Sequence, residues 1–325
     1  MEEKIRHRIQ CVTGATHVER LAQIQSLWSG YGEVARYRLQ GANTNSVVIK
    51  RASPPTLQQH PRGWNTDLSH QRKLESYRVE MAWYQRWAQQ CTAACRVPVC
   101  YGAEELEADS GWLFILEDVD AAGFSIRKSS LSLNELKLCL QWLANFHAHF
   151  LHEQPNGLWP VGCYWHLATR PDELTAMDDV KVKKAAAAID QRLSAAAFKT
   201  FVHGDAKLAN FCFADDGAAV AAVDFQYVGG GCGMKDVAYL LSSCLDDSEC
   251  ERWEEELLEY YFQQMAAALL SANKIVDMPA LEKEWRELYV FAWADFYRFL
   301  NGWMPGHWKI HSYTRRLTER ALKML

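Results

Sequence analysis

Apolar and polar positions change their period along this chain near residue 120, and the change separates two kinds of structure. A short helical pattern opens the chain, and the order around residues 32–50 then reads strand, small polar turn, strand: residues 32–39, the turn 41–46, and the apolar run Val47-Val48-Ile49-Lys50. Residues 51–70 carry prolines, a glycine and polar side chains, which predicts a long loop of the kind used as a lid or binding loop. From 71 to 90 the apolar positions Leu74, Tyr77, Val79, Met81, Tyr84 and Trp87 predict an amphipathic helix that carries Glu80. Two further extended runs follow at 97–102 and 111–119. The second reads as a buried strand ending in Glu117 and Asp118, ahead of a hinge-like stretch of small residues at 120–123.

Beyond that hinge the period becomes mostly helical. Ser132 followed three places later by Glu135 is a capping box, and Leu136, Leu140, Leu143, Phe146 and Phe150 continue it at helical spacing. An alanine-rich helix is expected near 180–197. Asp216-Gly217 between two β-like runs, 210–213 and 218–224, predicts a short hairpin. Helices are expected near 236–245, 247–271 and 280–301, with a last one after Tyr313.

At 325 residues the chain is long enough for two lobes around a sizeable core. Its net charge of −5 and the lack of any polybasic block argue against nucleic acid as a partner. The N-terminal residues 1–8 are charged and lead into no apolar run, and the longest apolar stretches fall short of a membrane span, so a cytoplasmic protein with no membrane partner is expected. Ten cysteines lie scattered without CxxC pairs, as reduced thiols would. Cys91, Cys95 and Cys100 lack a ligand-spaced histidine and read as structural thiols rather than metal ligands.

Candidate chemistry concentrates in one stretch, His203-Gly204-Asp205-Ala206-Lys207-Leu208-Ala209-Asn210, followed by Val223-Asp224-Phe225-Gln226. Moving a γ-phosphoryl group asks a protein mainly to place two oxygens in line and to neutralise charge. In that scheme Asp205 is the candidate catalytic base, and Asn210 and Asp224 are candidate ligands for Mg²⁺. Taken singly, His-Gly-Asp is a turn and Asp224 a strand-end cap. Their joint occurrence around an Asp-Gly hairpin favours the catalytic reading.

With these motifs the chain resembles the aminoglycoside phosphotransferase and choline kinase superfamily of small-molecule kinases, and within it the ecdysteroid kinase-like branch. The shared features are the HGD, the nearby Asn, a VDFQ in place of DFG, and the glycine-rich, Asp-containing segment from Gly229 to Leu240. The resemblance implies an α+β, bilobal protein-kinase-like fold. An N-terminal antiparallel sheet lobe with one main helix (1–118) would bind the nucleotide, and a larger, mostly helical lobe (119–325) would carry catalysis and the acceptor. It also implies ATP and Mg²⁺ as cofactors and a phosphotransferase with an alcohol group as acceptor.

Mapped onto this chain, the resemblance makes Lys50 the lysine for the α- and β-phosphates and Glu80 its helix partner, with Glu75 as a rival. The turn 41–46, with Asn43, Thr44, Asn45 and Ser46, would cover the phosphates. Glu117, Asp118 and Val119 would be the hinge whose backbone meets adenine. Lys207 could face the transferring phosphate, and Asp236 would brace the catalytic loop. Eleven residues separate Asp224 from Asp236, too few for the long loop that binds polypeptide, so the acceptor is expected to be a small molecule. Trp293, Asp295, Tyr297, Arg298, Trp303 and Trp308 would contribute to its pocket. A catalytically silent nucleotide-binding protein and AMP transfer on the same fold remain open at this point.

Overall fold

The computed structural model describes residues 2–27, 30–54, 67–106 and 111–325. Helix α1 (Glu2–Thr13) precedes strands β1 (His17–Ser26), β2 (Gly32–Gln40) and β3 (Ser46–Ala52). Helix α2 (Asp67–Ala82) follows, then β4 (Cys100–Leu106) and β5 (Gly111–Glu117). The five strands form one antiparallel sheet in the order β1-β2-β3-β5-β4. Side chains alternate across a strand. Val47 and Ile49 of β3, with Leu113 and Ile115 of β5, therefore pack with Ile5 and Ile9 of α1 on one face. Ala52, Trp112, Phe114 and Leu116 pack with Tyr77, Trp83 and Tyr84 on the other. With both faces covered, β3 and β5 read as continuous apolar runs, and the alternation puts Lys50 on the α2 side.

The sheet lobe differs from the sequence reading in two places, the first for a physical reason. No strand is expected at 17–26, yet β1 forms there. It is an edge strand with Val18 as its one buried position, so it carries no alternating apolar signal. The helix expected at 71–90 starts earlier and changes character: α2 is regular to Ala82, then widens into a π-type turn over Trp83–Trp87 and tightens over Ala88–Gln90. The lid expected at 51–70 lies largely outside the described residues.

The second lobe begins with the turn after β5 and is helical in bulk. Helix α3 (Leu133–His149) is capped by Ser132 and Glu135, with both reciprocal bonds of the capping box formed. Helices α4 (Pro171–Ala176) and α5 (Val180–Ser194) lead to β6 (Thr200–Val202) and the hairpin β7 (Phe211–Phe213) and β8 (Val220–Ala222). Strand β9 (Gly229–Gly231) pairs with β6, and α6 (Met234–Cys244), α7 (Asp247–Ser271), α8 (Met278–Trp303) and α9 (Ser312–Met324) complete the chain. The run of glycines in β9 answers a packing need, since a Cβ at Gly229 would collide with the Trp159 carbonyl of the adjacent segment. No described helix is long and apolar enough to cross a membrane.

The lobes meet across an aromatic seam. Trp83, from the π-type turn, stacks on Phe225 at 4.6 Å and 16° and meets the edges of Phe146 and Phe150 of the α3 segment. Trp83 is fully buried. Trp83→Ala is therefore expected to lower unfolding free energy by about 3–5 kcal/mol through the cavity it leaves. Urea denaturation of both proteins checks this, and an unshifted midpoint would show that the seam carries no stability.

Candidate active site

The loop after β6 is fixed from below by one buried carboxylate. Asp236, in the first turn of α6, accepts the backbone N–H of His203 through Oδ2 at 2.5 Å and that of Gly204 through Oδ1 at 2.9 Å. Its Oδ2 also lies 3.1 Å from His147 Nε2. Gly204 has φ +78, and a Cβ there would collide with the Tyr227 carbonyl oxygen, so the sharp turn requires glycine. The His203 ring ties the loop to the hairpin. Its Nε2 is 3.1 Å from the Val223 carbonyl, while Nδ1 accepts the Asp205 N–H at 3.2 Å; hydrogen on Nε2 satisfies both.

That turn presents Asp205, Lys207 and Asn210 together. Asn210 Nδ2 donates to the Asp205 carbonyl at 2.7 Å and to its Oδ2 at 3.0 Å, and Lys207 Nζ meets the same Oδ2 at 2.8 Å. Among the described residues neither Asp205 Oδ1 nor Asn210 Oδ1 takes a hydrogen bond. The Val223 N–H donates to the Asn210 carbonyl at 3.0 Å, which brings Asp224 alongside. Asp224 has φ +70, in the left-handed region.

Lys50 reaches this group from the sheet lobe. Its ammonium lies 2.7 Å from Glu80 Oε1 and 2.9 Å from Asp224 Oδ1. Burial disfavours the Lys50 charge, but Asp224 and Glu80 outweigh it and hold the ammonium above the ordinary lysine value. Burial likewise works against the Asp224 carboxylate, but the Lys50 and Lys207 ammoniums outweigh it and keep it well below the usual aspartate range. Glu75, the rival partner, pairs with Arg78 at 3.3 Å on the exposed side of α2. The arrangement can neutralise a polyphosphate, hold a divalent cation through hard oxygens, and accept a proton.

The family model described as the phosphotransferase enzyme family matches residues 24–270, the span that holds this whole constellation. The chain belongs to the phosphotransferase enzyme family. No protein of the curated set matches it in sequence. Several solved structures share the fold of this phosphotransferase at low identity. A choline kinase from Cryptosporidium parvum Iowa II is 10% identical, with TM-score 0.57 over 99% of this chain and 95% of its own. An amicoumacin kinase in complex with AMP-PNP and Ca²⁺ is 12% identical, with TM-score 0.51 over 99% and 92%. An aminoglycoside phosphotransferase in complex with ADP and hygromycin B is 13% identical, with TM-score 0.50 over 98% and 98%.

Other expected site residues fall elsewhere in the phosphotransferase. Ser46 starts β3 and donates to Asp118 Oδ2 at 2.7 Å, so the turn with Asn43, Thr44 and Asn45 sits at the hinge end of the sheet. Lys50 lies four residues further on, about 13 Å along the strand, towards the turn between β1 and β2. The structure does not bring 41–46 to Lys50, and Gly41 serves to clear Thr16. Glu117 and Asp118 are not solvated acids. Arg96 grips both oxygens of Glu117 at 2.6 Å, and Arg36 grips Asp118 at 2.7 and 3.0 Å while also bonding Asp120. Val119 is buried beside them.

The C-terminal aromatic and charged group divides. Trp293 is in the core, Asp295 and Arg298 form a buried pair at 2.9 Å, and Tyr297 donates to Asp179 at 2.9 Å. Trp303 stacks on Phe299, and Trp308 is exposed.

Sequence reasoning missed Lys73. It lies seven residues before Glu80 on the same face of α2, donates to Gln226 Oε1 at 2.8 Å and sits 4.8 Å over the Tyr77 ring. Burial pushes its ammonium down to about 8, with Asp224, Glu80 and Asp205 pulling it up and Lys50 pushing it further down. The i, i+4, i+7 run of Lys73, Tyr77 and Glu80 was the available signal.

Because Asp224 is held ionised, the stability it contributes is present above its ordinary value of 3.8 and is lost as pH falls towards the depressed folded value. The melting temperature of wild type minus that of Asp224→Asn should therefore shrink between about pH 7 and pH 3. A pH-independent difference would mean that Lys50 and Lys207 do not hold the charge.

Proposed function

We propose that this protein moves the γ-phosphate of ATP, with Mg²⁺, to a hydroxyl of a small-molecule acceptor, with Asp205 as base. Residues 1–118 would bind nucleotide and 119–325 would carry catalysis and the acceptor. The observation that carries the reading is the gathering of Asp205, Asn210 and Asp224 on one loop and hairpin, met by the Lys50–Glu80 pair from the other lobe.

Each side chain then has a stated task. Asp205 Oδ2 is held by Lys207 and Asn210, while Oδ1 is left to take the acceptor's hydroxyl proton as its oxygen bonds to the γ-phosphorus and the bond to ADP breaks. Lys50, oriented by Glu80, would meet the α- and β-phosphates. Lys73 adds a second cation on that side, and Lys207 would face the transferring phosphate. Asn210 Oδ1 and the Asp224 carboxylate, hard oxygens on a partly open face, fit Mg²⁺, whose charge would offset that of the β- and γ-phosphate oxygens. With the Glu117 and Asp118 side chains committed to arginines, the hinge backbone at 117–119 is what remains for adenine. The VDFQ favours the ecdysteroid kinase-like branch.

One observation weighs against a silent protein, and a second against a polypeptide acceptor. A silent nucleotide-binding protein would be expected to lack the lysine or a metal ligand, and Lys50, Asn210 and Asp224 are all in place. The short segment after Asp224 is largely buried and pairs with β6 as β9, which leaves no polypeptide-docking loop and favours a small acceptor. No observation favours AMP transfer.

The test is ADP release from ATP and Mg²⁺ across an alcohol library. Asp205→Asn should lower acceptor-dependent turnover by about 10²–10⁴ while nucleotide still binds. Turnover retained in Asp205→Asn would remove the base assignment. Lys73→Met should raise the KM for ATP by about tenfold, read from initial rates, because a charge-assisted phosphate contact is lost; an unchanged KM would take Lys73 out of the phosphate site.

A further inference from the structure

Lys309, in the connection between α8 and α9, is 8% exposed, and its ammonium has no carboxylate within ion-pair distance among the described residues. It donates to Ser242 Oγ at 3.4 Å and lies over the rings of Tyr239 at 4.8 Å and of Phe296 and Trp308 at 5.5 Å. Trp308 is 60% exposed, so the enclosure is open on that side. Buried lysines are normally paired, and an unpaired one in an aromatic enclosure is a site for an anion or a cation–π contact awaiting one.

The enclosure adjoins the catalytic loop. Ser243, next to Ser242, accepts the Leu208 N–H at 3.0 Å. Tyr239 packs on Tyr164 at 5.4 Å, whose N–H donates to the Gly204 carbonyl at 3.0 Å. Asp205 and Lys207 are both among the charges that act on Lys309. The carboxylates of this wall are already committed. Asp236 holds the loop amides, Asp295 takes Arg298 and the Trp165 indole at 2.9 and 3.1 Å, and Glu173 takes Arg170 at 3.0 Å. Asp205 of the catalytic loop apart, an amine-rich acceptor would find no free acid among these, whereas an anionic one would find a desolvated ammonium between rings.

Building on the phosphotransfer reading above, we infer that the acceptor is a hydroxy acid: an alcohol bearing a carboxylate on a flat, apolar body, with Lys309 binding the carboxylate and Trp308 flanking the body. The charge selects the molecule, and its hydroxyl is left to Asp205.

A matched series decides this. 4-(Hydroxymethyl)benzoate, benzyl alcohol and 4-(hydroxymethyl)benzylamine would be titrated calorimetrically into the full-length protein saturated with Mg²⁺ and ADP. The benzoate should bind about tenfold more tightly than benzyl alcohol, and the amine most weakly. Lys309→Met should erase that tenfold preference and leave benzyl alcohol unchanged, while Lys309→Arg retains it, which separates loss of charge from loss of fold.

The inference is overturned if the amine binds as well as the benzoate, if Lys309→Met binds the benzoate like wild type, or if the benzoate does not bind at about 10 mM. A separate titration with Mg²⁺ and ADP reports on the underlying reading. Nucleotide that fails to bind while the charge preference holds would remove phosphotransfer and leave the acid site standing.

Discussion

The loop that carries Asp205 and Asn210 depends on one buried carboxylate. Asp236 sits fully buried at the start of α6 and takes two consecutive backbone amides of the loop above it. Helix N-termini favour negative charge, so the same residue is stabilised by its helix while it satisfies the loop. Leaving either amide unpaired at that depth would cost about 1–3 kcal/mol. With the turn fixed, Asn210 bonds to Asp205, and the His203 ring ties the loop to the Asp224 hairpin.

The second constraint is electrostatic and joins the lobes. Lys50 stands between Glu80 on its own lobe and Asp224 on the other, so the cleft between sheet and helices is bridged by charge as well as by the Trp83–Phe225 stack. The ion pairs fix the Lys50 ammonium between the lobes. The stack sets how far apart the two lobes stand. Phe225 follows Asp224 directly, so the residue that anchors the seam also places the carboxylate.

Much of this was legible in the sequence, for reasons that can be named. The HGD, Asn210 and VDFQ lie within one short stretch, and the Ser132 capping box and the Asp216-Gly217 hairpin are local signals that tertiary packing did not override. What was missed is non-local or faintly patterned. Strand β1 forms at a sheet edge with little burial and so carries no period-2 signal. The partners of Asp118 and Glu117 are Arg36 and Arg96, residues 82 and 21 positions away in the chain, so their commitment could not be seen locally. The turn 41–46 looked suited to phosphate because it is small and polar. Its place at the hinge end follows from sheet register, which a single sequence does not declare. Lys309 carries no local mark of its burial, and Lys73 only its helical spacing to Tyr77 and Glu80.

The backbone at Asp224 narrows what evolution or an engineer can place there. A left-handed torsion costs most side chains about 1–2 kcal/mol, while Asn and Gly adopt it readily and carry no charge. Glutamate, the obvious chemical stand-in, brings the charge but also the torsional cost, and its extra methylene would move the oxygens off their mark. Handedness and ionisation therefore demand the same amino acid independently, and among the common side chains only aspartate meets both conditions.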